Sequence, residues 1–151
     1  MEQQIPSEVF PDAMRHAKTV VCVTDQLRCD RIIRSGRVVA NMTDTKLAVI
    51  NVSTPQRKND PAAMEYLFRV SSEYEGEMAV LYSSDVAKAI IRHIKENRIA
   101  YVLTGVPQEN DSIITKIWKR FTHITFFMVE ETGELCEVTR PMMQQYAQKR
   151  A

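Results

Sequence analysis

Between Thr19 and Met42 the hydrophobic period of the chain changes once, and that change limits what fold can follow. Val20-Val21-Cys22-Val23 is an unbroken, β-branched apolar run, the pattern of a strand buried on both faces. Thr24-Asp25-Gln26 interrupts it, and from Cys29 the spacing becomes helical: Cys29, Ile32, Ile33, Gly36, Val39 and Ala40 make one stripe. Arg28, Arg31, Arg34 and Arg37 lie largely off that stripe. Their three-residue spacing drifts around a helix, so they are expected to be a solvated surface. A strand running into a helix is the first half of a βαβ unit. In open sheets of such units, ligands collect beyond the carboxyl ends of the strands, near helix N-termini. Thr24 to Arg28 is therefore the first candidate site segment.

The same alternation continues. Lys46 to Ser53 reads as a second strand and Thr54 to Pro61 as a loop over the carboxyl end of the sheet. Asp60-Pro61 is a helix start, an N-cap followed by proline at the first helical position. The stripe Met64, Leu67, Phe68, Ser71 carries that helix to about Tyr74, and Gly76 is expected to end it. Glu77 to Tyr82 is a third strand, and Ser83 to Asp85 caps a helix with an inward face of Val86, Ala87, Ile90, Ile91 and Ile94. Ile99 to Thr104, ending at Gly105, is a fourth strand. Ile113, Ile114, Ile117, Trp118 and Phe121 mark the next helix, and Ile124 to Val129 a fifth strand. Short connections between five strands imply right-handed crossovers. The expected fold is a single doubly wound α/β domain with a five-stranded parallel sheet, order 3-2-1-4-5, and helices on both faces. Residues 1–18 read as an arm, 19–129 as the α/β domain, and 130–151 as an extension with a short antiparallel strand (Glu134 to Thr139) and a small helix around Met142, Met143 and Tyr146.

Composition narrows the function classes. The 151 residues carry 20 Lys and Arg against 19 Asp and Glu, a net charge of +1, so nucleic acid is not an expected partner. A local basic patch is still compatible with that total. Three cysteines without a C-x-x-C pair argue against a disulfide framework or a structural zinc site. No apolar run approaches the roughly 18–20 residues of a membrane helix, and Met1 to Lys18 has no signal-peptide core, so a cytoplasmic location is expected.

Few residues carry a chemical signature. Cys22 and Arg28 have the C-x5-R spacing of cysteine-dependent phosphatases, between a strand and a helix. Against that reading, Cys22 falls inside the strand, no glycine lies between the two, and Asp25 would oppose a bound dianion. Asp25 can cap the following helix or accept hydrogen bonds from a ligand. Gly105 permits close backbone approach, and Asn110-Asp111-Ser112 opens a helix whose N–H groups can receive a phosphate. His16, His93 and His123 do not converge in the sequence, so no metal site is expected. No Walker loop, G-x-G-x-x-G or G-x-S-x-G is present, which leaves a hydrolase or dehydrogenase without a residue to stand on.

From Thr19 to Val129 the order of elements, in particular VVCVTD, CDRIIRSGRVVA, LAVINVSTP and SSDVAKAIIRHIKENRIAYVLTGVP, resembles the universal stress protein family. It is most similar to the universal-stress-like domain of potassium-uptake sensor kinases. The resemblance implies a non-catalytic regulatory domain in stress response or signalling. It implies binding of ATP or another adenine nucleotide, or of a regulatory protein partner, at the carboxyl end of the sheet. The positions that match the family's site are Asp25, with Thr24 beside it, Val52 at the end of the second strand, Gly105 as the first glycine of the phosphate loop, and Ser112 at its end. Gln108 stands where the second glycine belongs, and Asp111 precedes Ser112 in place of glycine. A pure protein-interaction module with a degenerate nucleotide site is the alternative. The resemblance also implies a homodimer through the fifth strand, Ile124 to Val129. That apolar run would otherwise be an open edge, unless Glu134 to Thr139 folds back on it.

Overall fold

The computed structural model describes residues 17–23, 28–56, 59–107 and 112–150. Among the described residues six strands and five helices follow one another. They are β1 (Lys18–Cys22), α1 (Cys29–Thr43), β2 (Lys46–Ser53), α2 (Pro61–Glu73), β3 (Glu77–Tyr82), α3 (Val86–Glu96), β4 (Ile99–Gly105), α4 (Ser112–Arg120), β5 (Thr125–Val129), β6 (Leu135–Glu137) and α5 (Arg140–Arg150). The sheet has the order β3-β2-β1-β4-β5-β6. The first five strands are parallel and β6 is antiparallel to β5. The doubly wound α/β fold expected from the alternation is the one observed, with β1 starting two residues earlier than the apolar run.

Because β1 is central, its successive side chains serve two cores. Val20 and Cys22 join the core that holds Ile90 and Ile94 of α3, Ile117 and Trp118 of α4, and Phe121. Val21 and Val23 join the other, with Ile32, Ile33 and Val39 of α1 and Leu67 and Val70 of α2. A strand covered on both sides has no solvent-facing residue to make polar, which is why the run does not alternate. α5 adds Met142, Met143 and Tyr146 to the first core, and the Tyr146 ring meets Trp118 edge-on at 5.7 Å.

Local chemistry sets the boundaries. Asp60 Oδ2 accepts from the Ala63 N–H at 3.1 Å with Pro61 behind it, and Asp85 Oδ1 accepts from the Lys88 N–H at 3.1 Å. Gly76 does not supply the left-handed residue after α2; Glu75 does, at φ 57°. What Gly76 provides is room, since a Cβ there would lie 3.1 Å from Val49 Cγ2. At Gly36 the approach is closer still: a Cβ would overlap Val21 Cγ2 and lie 2.9 Å from Leu47 Cδ1. α1 therefore sits directly on β1 and β2. At the amino end of the sheet, Thr43 Oγ1 donates to the Val39 carbonyl at 2.7 Å. Thr45 Oγ1 lies 3.0 Å from it, and the fully buried Thr19 Oγ1 lies 2.6 Å from Thr45. Each hydroxyl has one proton, so the order is settled: Thr19 donates to Thr45, and Thr45 to Thr43.

The outer side of β5 is occupied. β6 pairs Leu135, Cys136 and Glu137 with Val129, Met128 and Phe127, and the Val138 N–H donates to the Phe126 carbonyl at 2.8 Å. Of the two ways expected to cover Ile124 to Val129, the fold-back is the one observed. A second chain reaching β5 along this side would have to displace β6, so the expected strand-to-strand dimer contact is not open in this arrangement. No helix among the described residues is long and apolar enough to cross a membrane.

Candidate functional site

At the carboxyl ends of β4 and β5, beside the first turn of α1, lies a cleft of about 450 Å³. That is the lower end of the size range of small-molecule sites. Arg28, Arg31 and Ile32 form one wall, Gly105, Val106 and Pro107 the second, and Val129 to Thr132 the third. Arg31 defines the chemistry. Its Nη1 donates to the Val129 carbonyl at 3.3 Å, while its Nε is buried and has no acceptor among the described residues. An unmet buried donor costs about 1–3 kcal/mol, so the position favours an incoming acceptor. Arg28 Nη2 stands 3.5 Å from Glu131 Oε1, with the two side chains 53% and 74% exposed. Solvent screens so exposed a pair, which makes it a weak closure of the rim.

The two guanidinium groups are matched by the carboxylates of Glu130 and Glu131, so the cleft is polar without a strong sign. Gly105 leaves its wall open: the nearest atom to a Cβ there would be Ile32 Cδ1 at 3.8 Å, an ordinary contact. Pro107 offers no N–H, so the chain after β4 has one fewer donor for a phosphate than a glycine-rich loop would present. These residues fit one or two phosphate charges better than a triphosphate.

A second polar feature lies at the end of β2. Asn51 is buried, donates from Nδ2 to the Val23 carbonyl at 2.8 Å, and accepts at Oδ1 from Asn59 Nδ2 at 3.1 Å. It ties the exit of β1 to the loop before α2. A lone asparagine in the otherwise apolar LAVINV was the sequence signal for it.

Of the expected site residues, the structure places Gly105 and Arg28 in the cleft. Val52 is not there: it packs on the α3 and α4 side of the sheet, with β1 between its strand and that of Gly105. Ser112 is the first residue of α4, as its capping sequence suggested. Thr24, Asp25, Gln108 and Asp111 lie outside the described residues. The solvated-surface expectation for the arginines needs correction at two positions. Arg31 lines the cleft, and Arg37 is half-buried with Nη1 donating to the Tyr74 carbonyl at 2.9 Å, at the end of α2. Arg34 does face solvent, 3.8 Å from Asp30 one turn away.

The cysteine reading does not survive the geometry. Cys22 is 6% exposed inside the core, and burial pushes its thiol up to about 12, so a thiolate is not available near neutral pH. Arg28 lies in the cleft on the other side of the sheet from that core. Among the described residues no three His, Cys, Asp or Glu side chains gather as a metal would require. No protein-family model matches the chain, and no curated protein matches it. What the fold and the cleft define is a doubly wound, Rossmann-like α/β domain with a polar crevice at the carboxyl ends of β4 and β5.

Proposed function

We propose that this chain is a non-catalytic regulatory domain that binds a small phosphate-bearing ligand in the cleft between α1, β4 and β5. An adenine nucleotide is the first candidate. The observation that carries the reading is the buried Arg31 Nε, without an acceptor among the described residues and held beside Gly105 at the carboxyl end of the sheet. In such folds this is where ligands bind. The near balance of Arg28 and Arg31 against Glu130 and Glu131 favours mono- and diphosphates or cyclic forms over ATP. The resemblance to universal stress proteins agrees with this position at Gly105, and with a role in signalling.

Thermal unfolding in the presence of AMP, ADP, ATP and cyclic adenine nucleotides tests it. A ligand at 100 times its Kd stabilises by about 2.7 kcal/mol, which for a chain of this size raises Tm by about 5–10 °C. Arg31→Gln should abolish the shift, and Gly105→Val should do so while leaving the unliganded Tm nearly unchanged. If no nucleotide moves Tm at millimolar concentration, the nucleotide reading is lost. If one does and Arg31→Gln binds it equally well, the ligand sits elsewhere.

A further inference from the structure

On the opposite face of the sheet, α3 and α4 lie side by side with a groove of about 540 Å³ between them. Lys88, Arg92 and Lys95 recur at i, i+4, i+7 along α3, which puts all three on one exposed line. Lys116 and Arg120, one turn apart, face them from α4. None of these five side chains has an ion-pair partner among the described residues. The acids on the groove are Asp85 and Glu96, and Asp85 already caps α3. Five cations against two anions leave +3 here, in a chain whose total is +1. Ala87 and Ile91 lie among the cations and give the groove an apolar strip.

We infer that this groove is a docking site for an acidic, amphipathic segment of another protein, separate from the cleft at the carboxyl end of the sheet. Two rows of cations without ion-pair partners among the described residues, facing each other along a trough, match one polypeptide carrying Asp or Glu on both flanks. The strip of Ala87 and Ile91 matches an apolar side chain on its underside, as in helix-in-groove recognition. Nucleic acid fits less well. The five cations line a concavity between two helices, its own lining holds no aromatic side chain for bases to stack on, the exposed ring of Tyr82 standing beside Lys88 and Arg92 only in the adjoining hollow, and the chain as a whole carries almost no net charge. A bilayer fits less well still, because a planar surface does not enter a trough and the groove's own lining offers it no large apolar side chain beyond Ile91.

The test is selection from a displayed library of random 16-residue peptides against the full chain, followed by fluorescence anisotropy on the enriched peptides. Enriched sequences should be rich in Asp and Glu with apolar residues at helical spacing. Their affinity should fall about tenfold or more in the Arg92→Glu/Lys116→Glu variant, fall steeply with salt, and stay unchanged in Lys119→Glu, whose side chain lies off the groove. Circular dichroism and Tm establish that the variants are folded, since all three positions are exposed. Enrichment without an acidic bias overturns the inference, as does equal binding to the double charge-reversal variant. Tighter binding of a 20-base-pair DNA or of phosphatidylserine vesicles than of any enriched peptide, lost in the same variant, overturns it in favour of that partner. None of these outcomes depends on whether a nucleotide occupies the other cleft.

Discussion

Gly36→Ala should weaken this fold, although alanine is the better helix former. Ala in place of Gly in a helix interior is worth about 1 kcal/mol in favour of the variant. Against it stands the packing of α1 on the sheet, where the new methyl would overlap Val21 Cγ2 and press on Leu47 Cδ1. Ordinary carbon contacts need about 3.5–4 Å, so one partner must retreat by roughly 1 Å. Val21 cannot easily do so: it is fully buried on the central strand and stiff about χ1. The helix must lift instead, and overpacking of this kind costs about 1–3 kcal/mol, towards the upper part of that range where two walls are rigid. The net expectation is a loss of about 1–2 kcal/mol, or about 2–8 °C in Tm. Urea unfolding followed by the fluorescence of Trp118, which is buried, reads it directly. A cycle with Val21→Ala isolates the contact, because the methyl of Gly36→Ala fills part of the hole that Val21→Ala leaves. The two changes should be less harmful together than their sum by about 1 kcal/mol. A Gly36→Ala protein as stable as the parent, or strict additivity in the cycle, would show that the close approach of α1 to β1 is not what the glycine serves.

Three further outcomes follow from contacts already described. Arg37→Ala removes donors from the carbonyls of Tyr74 and Glu75 at the end of α2 and should cost about 1–2 kcal/mol, whereas Arg34→Ala should stay within about 0.5 kcal/mol; equal effects in urea titrations would contradict the asymmetry. With a thiol-reactive disulfide reagent at pH 8, the partly buried Cys136 should react first, while Cys22 and Cys29 wait for unfolding; rapid native modification of Cys22 would refute its burial. Burial, then Lys18, lower the pKa of His93 from 6.5, with Glu96 opposing, so the unfolded chain takes up that proton first. Its contribution is therefore present above pH 6.5 and lost as pH falls below it, and His93→Gln should flatten the decline in urea midpoint between pH 7 and pH 5.5; an unchanged decline would exclude His93 as its source.

What was legible in the sequence is what depends on local pattern. The apolar runs of β1 to β5, the Asp60-Pro61 start and the Asp85 cap all declare themselves within a few residues, and the observed elements follow them closely. The site was less legible because it depends on reach and register. Arg31 acquires its role by touching Val129, 98 residues away, and Arg37 by touching Tyr74, 37 residues away. Nothing in a three-residue spacing announces either contact. Val52 shows the register effect: a strand changes face at every residue, so Asn51 looks toward α1 and α2 while Val52 looks the other way. The basic groove was half visible, since the line of Lys88, Arg92 and Lys95 is there in the sequence but its facing row belongs to another helix.

The way the sheet ends also bears on how copies of this chain can associate. Among the described residues no strand lies outside β3, whereas the far flank is finished by a three-residue β6 that ends in Glu137. A flank finished by a short strand with a charged end is a poorer template for backbone pairing than an open one, so a strand from a second copy would be added more readily at β3 than at β6.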